Sequence, residues 1–292
     1  MKYVLYLIIL LIFFGCLFGC SPENTADIAA TTLPVYTFTT RLCEGTDLTV
    51  DRLITENISC LHDYTLKVSQ MRTIQGAKVV IINGAGLEEF LDDALDTATN
   101  LIDCSHGIHL HEGDEHDHEH DHSDHIHKED PHIWLSPKNA IIMAENIANH
   151  LAELFPQHST LFAENLQELV ADLDALQNYG ESTLTDLSCR ELITFHDGFA
   201  YLAESFDLTI LKAVEEESGS EASAAQLIEL CNLVDEHNIP AVFSETNGST
   251  SAAEIIAKET GISLHTLDMV MSGNDYFDAM YHNINTLQEA LQ

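Results

Sequence analysis

Apolar and polar positions along this chain fall into two alternating rhythms. Short runs rich in Val, Ile and Leu at 48–54, 78–82 and 100–103 have the length and residue type of buried strands. Between them, 68–75 and 86–95 carry apolar residues at helical spacing. The alternation begins at Ala29, and the first helix ends at Cys43. The second half repeats the scheme, with strands at 191–195, 209–214, 241–244 and 263–267 and helices at 224–236, 251–259 and 276–291. Strand–helix alternation at this spacing implies parallel strands with crossover helices.

Two helices separate the halves. Ser136 followed by Pro137 is a start signal, and Ile141, Ala144, Ile147, Leu151 and Leu154 share one face behind it. The next helix begins near His158, carries Phe162, Leu166, Leu169, Leu173 and Leu176 on one stripe, and is expected to stop at Gly180. At 1.5 Å per residue it would span about 33 Å, a rigid strut between lobes. The expected fold is α/β with two lobes, each a parallel sheet flanked by helices, joined by one long rigid helix. The expected boundaries are an N-terminal lobe at 29–157, a connecting helix at 158–187 and a C-terminal lobe at 188–292.

The first twenty residues do not fit this scheme. Lys2 is followed by an apolar run from Tyr3 to Phe14, short for a membrane span, which needs about 20 residues. It ends in Leu17-Phe18-Gly19-Cys20, which resembles the cleavage box of bacterial lipoproteins. Residues 1–20 are therefore expected to be a lipoprotein signal peptide, with Cys20 lipidated, 21–28 a linker, and the protein extracytoplasmic, anchored to the cell membrane by an N-terminal lipid. Five further Cys (Cys43, Cys60, Cys104, Cys189 and Cys231) are scattered without a C-x-x-C pair, which excludes a zinc knuckle. A Cys43–Cys60 bridge is the pairing their placement suggests.

Charge narrows the function. The chain has 48 Asp+Glu against 11 Lys+Arg, a formal net charge of −37. That excludes nucleic acid as a charge-driven partner, which needs a basic patch, and it favours a cation. Nine of the 17 His lie in one acidic stretch at 104–130: His106, His109, His111, His116, His118, His120, His122, His125 and His127. Neutral imidazole suits Zn²⁺, Cu²⁺ and Ni²⁺, whereas Ca²⁺ and Mg²⁺ take oxygen shells. This His-rich loop is expected to be an auxiliary metal-binding segment with too little apolar surface to pack.

Three other His stand in distinctive settings: His62 in Leu61-His62-Asp63-Tyr64, His132 in Asp130-Pro131-His132-Ile133-Trp134-Leu135-Ser136-Pro137, and His196 in Thr194-Phe195-His196-Asp197-Gly198. His196 ends a strand, and strand carboxyl ends are where open α/β sheets bind ligands. Asp63 and Asp197 each follow one of these His and are candidates to orient an imidazole N–H. His150, His158, His237, His265 and His282 lack such context and read as structural or surface residues. The loop 244–248, containing Glu245, is expected to line the cleft.

These motifs resemble those of the metal-specific solute-binding lipoproteins of ABC importers, over about 30–292. The resemblance implies one metal held between two lobes, with His62, His132 and His196 as zinc ligands and Asp268 or water as the fourth. His196 stands where manganese-carrying members have Glu, and Leu61 stands where the family usually has Pro. The implied function is capture of Zn²⁺, as cargo rather than catalyst, and its delivery as a monomer to an ABC permease and its ATPase. A manganese-binding homologue, a metal-dependent adhesin and a zinc hydrolase are the alternatives. The sequence carries no H-E-x-x-H, no Gly-rich phosphate loop and no G-x-S-x-G elbow, so no enzyme is expected.

Overall fold

The computed structural model describes residues 26–58, 61, 64–111, 129–214 and 222–292. The expected signal peptide and Cys20, the ligand candidate His62, Cys60, and the loop residues His116, His118, His120, His122, His125 and His127 lie outside the described residues.

The first half contains β1 (Ile28–Ala30), α1 (Leu33–Leu42), β2 (Val50–Arg52), α2 (Val68–Gly76), β3 (Val79–Ile82), α3 (Asp92–Leu95) and β4 (Leu101–Asp103). Next come α4 (Pro137–Leu154) and α5 (Ser159–Thr183). The second half contains β5 (Glu191–Thr194), α6 (Ala200–Ser205), β6 (Thr209–Ala213), α7 (Ala224–His237), β7 (Ala241–Glu245), α8 (Ser251–Thr260), β8 (Ser263–Leu267) and α9 (Tyr276–Leu291). All strand pairings are parallel, and the two four-stranded sheets have the orders β2-β1-β3-β4 and β6-β5-β7-β8. The second sheet thus repeats the order of the first. In each, the direction in which strands are added reverses between the two central strands, and the carboxyl ends flanking that reversal point are where sheets of this kind bind ligands.

Two expected elements differ in extent. The stretch 86–95 forms only a 3-10 turn at Glu89–Leu91 and the one-turn α3. Gly84, Ala85 and Gly86 all take positive φ, so the chain is still turning where a helix was expected to begin. Helix α5 runs to Thr183, straight through Gly180. A Cβ on Gly180 would lie 2.2 Å from Cε1 of Phe206, so this glycine permits close packing of α6 and its following turn and does not end the helix.

One apolar core joins the halves, containing Phe38 of α1, Leu169 and Leu173 of α5, and Met269 and Tyr276 of the second half. Trp134 is completely buried in it. Its Nε1–H donates to the Met269 carbonyl (2.9 Å), while the Tyr276 hydroxyl donates to the Trp134 carbonyl (2.8 Å). A smaller cluster around Val242, Ala253 and Ile256 fills the other face of the second sheet. Among the described residues Cys43, Cys104, Cys189 and Cys231 are free, and Cys60, the expected partner of Cys43, lies outside the described residues. Cys43 is buried at the amino end of the first sheet, near Asp27. Burial, aided by that carboxylate, pushes its thiol up to about 12. Among the described residues no helix is long and apolar enough to cross a membrane.

Candidate metal centre

His132 is delivered by the peptide that leaves the His-rich stretch and enters α4. It caps a 3-10 turn, Ile133–Leu135, and Ser136 then caps α4 by accepting from the Asn139 N–H (3.4 Å). His132 is buried, and its Nδ1 lies 2.8 Å from Oδ1 of Asp130, which also accepts from the His132 backbone N–H (2.9 Å). An Nδ1–H donated to a carboxylate fixes the tautomer and leaves the Nε2 lone pair for a metal. Burial alone would raise the Asp130 carboxyl, but the hydrogen bonds and charge of His132 outweigh it and hold Asp130 below the usual carboxylate range.

His196 comes from the other sheet, two residues past β5. Glu245 ends β7, the strand beside β5 across the reversal point. The His196 Nδ1 lies 3.3 Å from Oε2 of the buried Glu245, an ion-pair contact longer than the Asp130 hydrogen bond at His132. The rings of His132 and His196 stand nearly perpendicular with centroids 5.4 Å apart. Gly198 lies against both: a Cβ there would sit 2.8 Å from Cδ2 of His196, 2.9 Å from Cε1 of His132 and 2.6 Å from Cε of Met269. Each of these two ring carbons is bonded to Nε2, so both metal-binding edges border one narrow space. Two neutral imidazoles leave the charge of Zn²⁺ uncompensated, and the carboxylates behind them supply the opposite charge in a low-dielectric setting.

Among the described residues no group of three or more His, Cys, Asp or Glu is close enough to hold a metal alone. The described pair needs a further donor, and the segment carrying His62 is outside the described residues. Its flanks are firmly held. Glu56 accepts from the Tyr64 hydroxyl (2.7 Å) and pairs with Lys67, and Gln70 Nε2 donates to the Leu53 carbonyl (2.6 Å). Asp268 is half-buried. Its Oδ1 accepts from the Val270 N–H (2.6 Å), and burial raises its carboxyl above the ordinary value.

At the reversal point of the first sheet a buried carboxyl, Glu88, accepts from the Thr31 hydroxyl (2.7 Å) and from the N–H groups of Asn83 (2.9 Å) and Gly84 (3.1 Å). Asn83 Nδ2 donates to the Pro131 carbonyl (3.0 Å), so this knot supports the peptide next to His132. Burial pushes Glu88 up to about 7 from an ordinary 4.5. Between those values the folded chain keeps a proton that the unfolded chain releases, so this group's contribution to stability falls as pH rises from about 4.5 to 7. The loss is on the order of 3 kcal/mol. Urea unfolding at a series of pH values is expected to show a flatter dependence in that window for Glu88→Gln than for the parent chain. An unchanged slope would contradict the assignment.

Of the His-rich stretch, His106, His109 and His111 are described. The His111 Nε2 lies 2.8 Å from Oε2 of the exposed Glu204, and its ring stacks on that of His109 with centroids 6.4 Å apart. Sequence adjacency suggested Asp63 and Asp197 as the carboxylates behind the ligand imidazoles; Asp63 and His62 lie outside the described residues, while the structure places Asp130 behind His132 and Glu245 beside His196. Asp130, two residues before His132, could have been read from the motif. The approach of Glu245 and the role of Gly198 needed the strand order.

A family model described as zinc-uptake complex component A, periplasmic, matches residues 28–290. A Treponema pallidum protein whose name states only metal binding is 30% identical over 249 residues, 78% of this chain and 76% of that one. The high-affinity zinc uptake system protein ZnuA of Bacillus subtilis is 29% identical over 286 residues, 93% of this chain and 89% of that one. A crystal structure of ZnuA superposes with a TM-score of 0.79 at 29% identity, covering 91% of this chain and all of that one.

Proposed function

This chain belongs to the family of zinc-uptake component A proteins, and from that premise we propose that it captures Zn²⁺ outside the cytoplasm in a cleft between its two halves and releases it to a permease. Members of the family are extracytoplasmic solute-binding proteins that work with an ABC permease and its ATPase. Zinc is the cargo. His62, His132 and His196 are its ligands, and Asp268 or a water is the fourth. The observation that carries the reading is the pair of imidazoles from separate halves, 5.4 Å apart, each with a buried carboxylate beside it.

The lobes at 29–157 and 188–292 act as two jaws on the helix at 158–187. Their shared apolar core, pinned by Trp134 and Tyr276, favours small adjustments over wide opening. A site between the jaws suits a protein that must bind tightly and still release, because a slight shift moves one ligand away from the others. The protein works as a monomer, tethered through lipid on Cys20. A binding role is favoured over a zinc hydrolase because Glu245, the carboxylate a hydrolase could use as general base, lies against the His196 ring. The loop histidines form weaker accessory sites. Calorimetric titration with Zn²⁺ is expected to show one tight site both in the full chain and after deletion of 112–128, with the weaker sites lost. Loss of the tight site on deletion would contradict this reading.

A further inference from the structure

His111 and Asp130, on the two described flanks of the His-rich stretch, meet at a closed neck. The Asp130 N–H donates to the His111 carbonyl (3.0 Å). Tyr201, on α6 of the second half, reaches both rims: its hydroxyl accepts from the His111 N–H (3.0 Å) and donates to the Asp130 carbonyl (3.0 Å). The Tyr201 side chain is buried, and its ring packs on His111 with centroids 4.5 Å apart.

The consequence lies one residue further on. The peptide 130–132 has all five of its backbone polar groups engaged: Asp130 N–H with His111, Asp130 carbonyl with Tyr201, Pro131 carbonyl with Asn83, His132 N–H with the Asp130 carboxylate, and His132 carbonyl with the Leu135 N–H. Asn83 ties this peptide to the first half, and Tyr201 ties it to the second. The Asp130 carboxylate in turn sets the direction of the His132 ring. Apolar packing here asks only for an aromatic ring. A buried hydroxyl is costly unless satisfied, and this one spends both of its bonds on the neck.

We propose that Tyr201 is a positioning residue for the metal: by holding the Asp130 backbone against the second half, it fixes the orientation in which Asp130 presents the His132 imidazole to the cleft. The ligand of one half is thereby aimed by a side chain of the other. The proposal rests on His132 being a ligand. Outer-sphere partners of this kind are worth about 10–100-fold in metal affinity, and a group acting through such a partner falls at the lower end.

The test uses the full chain as Tyr201→Phe, as Asp130→Ala and as the double variant, with His132→Ala as the control. Competition titration gives the zinc affinity of the tightest site, the visible spectrum of the Co²⁺ form reports ligand geometry, and urea unfolding of the metal-free chain reports stability. Tyr201→Phe is expected to weaken zinc by about 10-fold and to alter the Co²⁺ spectrum. In the Asp130→Ala background it is expected to add less than about 2-fold, because no carboxylate is left to position. A full additive effect in that background, or a loss of stability with unchanged affinity and spectrum, overturns the proposal. If His132→Ala abolishes tight binding while Tyr201→Phe is silent, the proposal alone fails. If His132→Ala leaves the tight site intact, the ligand assignment beneath it fails as well.

Discussion

Alanine at position 196 is expected to weaken the tightest zinc site by more than about 100-fold, beyond the effect of losing an outer-sphere partner. The substitution removes the imidazole contributed by the second sheet. It also leaves the buried Glu245 facing a cavity in place of the ring at 3.3 Å. The remaining imidazole donors lie on the first half, so the second half no longer contributes a nitrogen to the ion. Zinc should then lose most of its ability to raise the thermal midpoint, since stabilisation by a ligand follows its affinity for the folded state. Calorimetric titration alongside thermal unfolding with and without Zn²⁺ measures both effects. A His196→Ala chain that keeps its tight site and its zinc-dependent stabilisation would contradict the assignment. In the same setting, His196→Glu replaces a nitrogen donor with a hard oxygen donor and is expected to shift preference from Zn²⁺ toward Mn²⁺.

The second large effect is expected from adding one methyl group. In Gly198→Ala the new Cβ would fall 2.6 Å from Met269 Cε, 2.8 Å from His196 Cδ2 and 2.9 Å from His132 Cε1. The Met269 terminus is flexible and can yield. The two imidazoles cannot yield without breaking the His132–Asp130 hydrogen bond or moving His196 off the buried Glu245 behind it. The rings must therefore splay, and a displacement approaching 1 Å at a built site costs about 100-fold. The backbone at Gly198 is not in the left-handed region, so the metal-free chain should still fold, with a loss of stability only from the displaced side chains. Competition titration with Zn²⁺, beside urea unfolding of the metal-free form, separates the two effects. Unchanged zinc affinity in Gly198→Ala would show that the rings do not bind metal at this separation.

Sequence periodicity revealed most of the architecture because buried parallel strands and amphipathic helices leave strong local patterns. The strand 263–267 and the helix 276–291 keep their expected limits. Errors came where a glycine had a tertiary reason. Gly180 read as a helix stop because its partner Phe206 is remote in sequence, and the positive-φ run at 84–86 consumed residues that read as helix. In the site, His132 and His196 were legible because each lies in a loop motif carrying its own turn chemistry. Asp130 and Glu245 were harder to assign. Which carboxylate stands behind which imidazole depends on the order β6-β5-β7-β8 and on hydrogen bonds across the neck. Tyr201 gave no sequence signal, since an aromatic residue on a short helix reads as core.

The central claim is that imidazoles from the two halves meet on one ion. A crystal structure of the zinc-loaded chain tests it most directly. The account predicts a single ion bonded to Nε2 of His132 and Nε2 of His196 at about 2.0–2.1 Å, with a third nitrogen from His62 and with Asp130 and Glu245 behind the rings. Tight-site zinc found on the loop histidines, or on one half alone, would contradict it.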